Sequence, residues 1–283
     1  MKNALTVDVE DWYMTHDFNF DIELWDGFED RVVESTRLLL DILGRYELKA
    51  TFFILGCVAK RHPELICDIA AEGHEIASHG GWHRMVSKQD RQEFVTDVRE
   101  TKKILEGLSG QEVNIYRAPS WSISEESLWA LEVLEEEGFV CDSSIQPFKT
   151  PLSGIANAPV FPYHPIVNGQ RLRLIEFPPT VLELGRLRLP FAGGLYFRMM
   201  PQRLFCWAMQ KVNVGGPGML YIHPWELDEH QPRLSASLLT RMTHYGNLGK
   251  TYRKLEHVLS MFEFVPLGEL LKEDWFPERA IIR

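Results

Sequence analysis

Long apolar runs are missing from this 283-residue chain: none approaches the ~18 residues that a membrane-spanning helix requires, so no span is expected. Cysteine is scarce. The four present, Cys57, Cys67, Cys141 and Cys206, form no C-x-x-C pair and sit in apolar stretches, which argues against a disulfide framework or a thiolate zinc site and for reduced core thiols. Basic charge is also short, with 30 Lys and Arg against 40 Asp and Glu, a net charge of −10 and a pI near 5.5. Nucleic acid or an anionic membrane surface would repel such a protein. The longest basic stretch, 241–254, carries only Arg241, Lys250, Arg253 and Lys254 and reads as a solvated helix face. No apolar leader precedes the first carboxylate, Asp8, so the expected location is cytoplasmic. Neither an internal repeat nor a low-complexity segment is visible.

The length suits one large α/β barrel or two ordinary domains, and 45% hydrophobic with 25% charged residues is ordinary for a globular protein. Short apolar runs alternate with helical patterns over the first half, the rhythm of βα units around a mainly parallel sheet. Strands are expected at 5–9, 50–55, 74–78, 113–117 and 139–141, and helices at 30–46, 63–72, 89–108 and 124–137. From Gln146 to about Pro201 proline and glycine are frequent, strands such as 172–177 are short and no helix is evident, so this stretch reads as a long loop-rich insertion over one barrel face. The α/β rhythm resumes with a helix at 202–212, a strand at 219–222, a helix at 248–261 and a strand at 263–266.

In parallel α/β architectures functional side chains gather past the C-terminal strand ends. At those ends lie Asp8, Glu10 and Asp11, then His79 and His83, then Arg117, Asp142 and His223. The spacing His79-Gly80-Gly81-Trp82-His83 lets two imidazoles reach one ion. Three carboxylates within four residues after a buried strand need cations or solvent. Two histidines plus one carboxylate with open positions suit a hydrolytic Zn2+ site or a non-haem iron oxygenase, and the oxygenase expects a β-rich scaffold that this chain lacks.

The motifs then resemble a known family. Thr6-Val7-Asp8-Val9-Glu10-Asp11-Trp12, Ser78 to His83, Tyr116-Arg117-Ala118-Pro119-Ser120-Trp121, Gly138 to Ser144 and Leu220-Tyr221-Ile222-His223-Pro224-Trp225 are similar, in order, to the five motifs of polysaccharide deacetylases (the NodB-homology carbohydrate esterases). The His223 to Asp228 segment, H-P-W-E-L-D, looks like the branch associated with exopolysaccharide gene clusters. Two departures stand out: the D-x-E-D spelling leaves Glu10 and Asp11 both open as the metal carboxylate, and Ser120 replaces the usual tyrosine after R-x-P.

The resemblance implies a distorted seven-stranded β/α barrel, with 1–283 as a single catalytic domain, an insertion at about 146–201 and an α/β completion at 202–283. It implies removal of N-acetyl groups from the amino sugars of an exopolysaccharide or peptidoglycan-like polymer. One divalent ion, Zn2+ or else Co2+, Ni2+ or Mn2+, would be held by His79, His83 and Glu10 or Asp11. Asp8 would be the general base, paired with Arg117. His223 would be the general acid, supported by Asp142, and a backbone N–H near Ser120 would face the oxyanion. Trp121, Trp225 and Trp12 would stack on sugar faces. The competing readings are a metal-free allantoinase-like amidohydrolase, which an intact H-x-x-x-H pair disfavours, and a non-catalytic carbohydrate binder, which would tolerate loss of Asp8 or His223. The partner in either deacetylase or binder is an N-acetylated carbohydrate.

Overall fold

The computed structural model describes residues 1–272 except 17, 19, 151 and 152; residues 273–283, part of the expected C-terminal completion, and 151–152, within the expected insertion, lie outside the described residues. Strand β1 (Lys2–Val9) is buried on both faces, as its apolar run requires of a central parallel strand. Then come α1 (Val32–Arg45), β2 (Thr51–Ile54), α2 (Gly56–Arg61), α3 (Pro63–Ala71), β3 (Glu75–Ser78), α4 (Arg91–Ser109), β4 (Ile115–Tyr116), α5 (Trp129–Glu136) and β5 (Cys141–Asp142). The second half adds β6 (Ile166–Val167), β7 (Gln170–Arg171), β8 (Ile175–Glu176), β9 (Val181–Leu184), β10 (Leu187–Pro190), α6 (Gly194–Met199), α7 (Gln202–Val212), β11 (Met219–Ile222), α8 (Leu238–Tyr245), α9 (Leu248–Met261), β12 (Glu263–Val265) and α10 (Leu267–Leu270).

Seven strands form one curled path of parallel pairs, β11-β1-β2-β3-β4-β5-β8, and β12 pairs with the first residues of β1. Among the described residues no ladder joins β8 to β11. That side is bridged instead by Thr180, whose Oγ1 accepts the Met219 N–H at 2.5 Å, and by Ala192, whose carbonyl accepts the Tyr221 N–H at 3.0 Å.

Side-chain alternation along the strands sorts residues to the two faces. Ala4, Phe53, Ala77, Ile115, Cys141, Phe177, Met219 and Tyr221 fill the barrel interior as one apolar cluster. The larger cluster lies between the sheet's outer face and the helices. Helix α4 shows how local chemistry sets the frame. Asp90 and Glu93 close a reciprocal capping box at its start, and Gly110, at φ +67°, ends it in a left-handed conformation.

The structure departs from expectation in places. The stretch 146–201 is loop-rich yet donates β8 to the main sheet and contains α6, a six-residue helix too short for periodicity to reveal. Helix α2 lies where no element was assigned from sequence, and the helix expected from Ser124 begins as a 3-10 turn, Glu125–Ser127, before α5 starts at Trp129. All four cysteines are free as expected, but Cys67 is exposed rather than in the core. No described helix is long and apolar enough to cross a membrane.

Candidate active site

Thr6, Asp8 and Glu10 follow Ala4 on the inner face of β1, so strand alternation alone carries two carboxylates to the mouth of the barrel. Glu10 Oε1 stands 2.9 Å from His79 Nε2 and 3.0 Å from His83 Nε2. The other nitrogen of His79, Nδ1, donates to the Arg117 carbonyl at 2.8 Å, so Nε2 can meet the carboxylate oxygen only as an imidazolium donor or with a cation between them. Two acceptors so close require positive charge between or on them. Burial would raise the Glu10 carboxyl, but His83 and His223, with the hydrogen bonds of His79 and His83, hold it well below the usual range. Donor atoms of Glu10, His79 and His83 all lie within 4.8 Å of one another, and so do those of Asp8, Glu10 and His223. The first set fits a divalent cation better, because the charge of Asp8 is already matched by Arg117.

Asp8 and Arg117 form a close ion pair, both nearly fully buried. The guanidinium lies over the Phe53 ring at 3.9 Å and the Trp121 ring at 4.4 Å, and bonds Thr6 Oγ1 at 3.0 Å and Ser143 Oγ at 3.2 Å. This pairing follows the sequence expectation. Packed this way, the carboxylate of Asp8 is oriented and its charge balanced.

His223 follows β11, with Nε2 3.8 Å from Asp8 Oδ2 and Nδ1 2.7 Å from Glu226 Oε1. Burial by itself would lower the imidazolium pKa, but Glu10, Glu226 and Asp8 together raise it to about 9. Glu226 is in turn paired with Arg198 of α6, Nε to Oε2 at 2.7 Å, with both side chains buried.

Three expectations need correction. Asp11 is not in the metal cluster: it lies beyond the alternating inner positions, and its oxygens accept the N–H groups of Trp12 (2.8 Å), Arg31 (2.7 Å) and Val32 (2.9 Å), tying β1 to the start of α1. Of the two carboxylates left open, Glu10 is the one that lies beside His79 and His83. Asp142 does not support His223. It pairs in register with Tyr116 and Glu176 on the outer face, while its neighbour Ser143 turns inward to Arg117. There Asp142 accepts from Ser144 Oγ at 2.5 Å; burial raises its carboxyl to about 6, and burial together with the neighbouring Asp142 raises that of Glu176 well above the usual range. Trp12 is core, edge-on to Tyr13, Phe18 and Phe28, with its indole N–H on the Glu29 carbonyl at 2.9 Å.

A cavity of about 320 Å³ opens over Asp8, Glu10, His79, His83 and His223, walled by Ser120, Trp121, Tyr221, Trp225, Tyr196 and His16. Trp121 and Trp225 thus reach the pocket, but their ring faces are already engaged, by Arg117 in one case and by His244 at 4.5 Å in the other. Tyr196 is more open, at 39% exposed. Ser120 and Trp121 both hold left-handed φ, +54° and +56°, uncommon for such residues and typical of strained functional loops. Ser120 Oγ meets His16 Nδ1 at 2.5 Å, so a histidine from the β1–α1 connection packs beside the serine. Sequence reasoning missed His16, Arg198 and Glu226. Only Glu226 left a trace, inside the H-P-W-E-L-D segment.

Residues 22–138 match the polysaccharide deacetylase family, and residues 143–272 match a domain of unknown function, DUF3473. A peptidoglycan-N-acetylglucosamine deacetylase of Bacillus cereus is 37% identical over 101 residues, 35% of this chain and 37% of that protein. Residues 22–138 are thus similar to a polysaccharide deacetylase domain. A chitooligosaccharide deacetylase of Rhizobium leguminosarum bv. trifolii is 36% identical to the chain over 70 residues, 25% of the chain and 33% of that protein. These matches thus span little more than a third of the relatives' lengths. In structure, a Mycobacterium smegmatis protein assigned to the polysaccharide deacetylases superposes with a TM-score of 0.64 at 21% identity, covering 100% of this chain and 93% of that one. An acetyl xylan esterase from Clostridium thermocellum gives 0.50 at 16% identity over 98% and 93%. The fold is therefore that of the deacetylase β/α barrel.

Proposed function

We propose that this protein hydrolyses the N-acetyl groups of amino sugars in an exopolysaccharide or peptidoglycan-like chain, using one divalent ion held by Glu10, His79 and His83. The observation that carries the reading is the meeting, in one cavity, of that donor cluster with the Asp8–Arg117 pair and the His223–Glu226 pair. Two imidazoles and a carboxylate suit Zn2+, and the Clostridium thermocellum esterase of the same fold is described with cobalt. When bound, such an ion acts as a Lewis acid and lowers the pKa of a water.

The residues divide the remaining work. Asp8, held by Arg117, accepts the proton of the attacking water as its oxygen bonds to the acetyl carbon. A backbone N–H near Ser120 supports the oxyanion of the tetrahedral adduct. The C–N bond then breaks, its electron pair stays on nitrogen, and the Nε2 proton of His223 goes to that nitrogen, which releases amine and acetate. Metal analysis of the purified protein, paired with acetate release from chito-oligosaccharides, tests the proposal. About one divalent ion per chain is expected, with activity lost on chelation and restored by Zn2+. Activity that survives complete chelation would overturn it in favour of a metal-free amidohydrolase.

A further inference from the structure

We propose that Glu226 and Arg198 are the positioning pair of His223, and that the region matched only as a domain of unknown function contributes this acid unit to the active centre. The proposal rests on the reading of His223 as general acid. A carboxylate can only accept, so Glu226 Oε1, 2.7 Å from His223 Nδ1, fixes the proton on Nδ1 and turns Nε2 toward Asp8 and the cavity. The same oxygen accepts the His223 backbone N–H at 3.0 Å, so one atom grips both the main chain and the ring. Glu226 Oε2 is held by Arg198 Nε at 2.7 Å. Arg198 is itself anchored: its remaining nitrogens donate to the carbonyls of Thr243 (2.6 Å), His244 (2.8 Å) and Gly246 (2.8 Å). Glu226 is 0% and Arg198 4% exposed, so water does not compete for these bonds.

How α6 reaches this place is also readable. Gly193 lies against the Tyr221 ring, where a Cβ would collide, and the chain runs beside β11 before entering α6. Every member of the unit, from Gly193 to Gly246, falls within 143–272. The support expected from Asp142, which lies just before that region, is on the wrong face of the sheet, and the buried Glu226–Arg198 pair stands where that support is needed. A ring held in one tautomer and one orientation delivers its proton without a reorganisation step.

The test uses the metal-loaded full chain with two substrates, a chito-oligosaccharide amide and an aryl acetate ester whose phenolate leaves without an acid. Glu226→Gln should lower kcat on the amide by about 10²-fold with KM little changed, lose at least about tenfold less on the ester, and keep metal content. Glu226→Asp should recover part of the loss. In a His223→Ala background, Glu226→Gln should add less than about twofold, because the group it positions is gone. Equal losses on both substrates, or a full additional loss in the His223→Ala background, would overturn the pair's role and assign it to folding alone. If His223→Ala itself loses both substrates equally, the acid reading falls and takes the pair's role with it. Should Glu226→Gln fail to fold, Glu226→Gln combined with Arg198→Met removes both buried charges and is judged by the same selectivity.

Discussion

Replacing Asp8 by asparagine separates base from ligand, since two donor sets share Glu10 and only one of them includes Asp8. The substitution removes the counter-charge of Arg117, whose side chain is fully buried. Breaking a buried pair on one side typically costs about 3–5 kcal/mol. Here Arg117 keeps Thr6, Ser143 and two aromatic faces, and the new amide oxygen still accepts one N–H, so the lower end, about 3 kcal/mol, is expected. That corresponds to a fall in Tm of about 5–10 °C for a chain of this size. Acetate release should drop by about 10²–10⁴-fold, the usual share of a general base. Metal content after dialysis should stay near one ion per chain. If Asp8→Asn strips the metal while His79→Ala retains it, the ion sits among Asp8, Glu10 and His223, and the assignment made above is wrong.

Other outcomes follow from the same geometry. Glu10→Gln should weaken metal binding by at least about tenfold, whereas Asp11→Asn should leave it intact and instead cost about 1–2 kcal/mol by loosening the start of α1; metal titration with urea unfolding separates them, and reversed results would refute the split. His223→Ala should keep the fold and metal but depress amide hydrolysis far more than aryl ester hydrolysis, read as two kcat/KM values. His74 is buried, and its Nδ1 accepts the Ala50 N–H at 3.2 Å, so burial lowers its pKa from 6.5 to about 4. A depressed imidazolium pKa means the native state refuses a proton that the unfolded chain takes. The associated stability is complete above about pH 6.5 and is lost as pH falls toward 4, by about 2 kcal/mol at pH 5. His74→Asn, which keeps an acceptor, should flatten the pH 7 to pH 5 difference in urea midpoint; an unchanged difference would assign it to other groups.

The amino-acid sequence alone determined the α/β rhythm, because a strand buried on both faces reads as an unbroken apolar run and a core-facing helix as a periodic one. Helix 202–212, strand 219–222 and helix 248–261 were placed to the residue on that basis. The H-x-x-x-H pair, Asp8, Arg117 and His223 were legible too, since each stands at the end of such a strand. Only the tertiary structure decided which neighbour of two faces inward. Asp142 and Ser143 are equally polar, and β5 is too short for its period to be read, so register with β4 settled that Ser143 looks to Arg117. That Glu10 rather than Asp11 lies beside His79 and His83 follows in the same way, from the phase of β1 and from a helix start that needed a carboxylate. Arg198 lay in a stretch without periodicity. What fixes it is a buried ion pair across 28 residues of chain, a contact that no local pattern encodes.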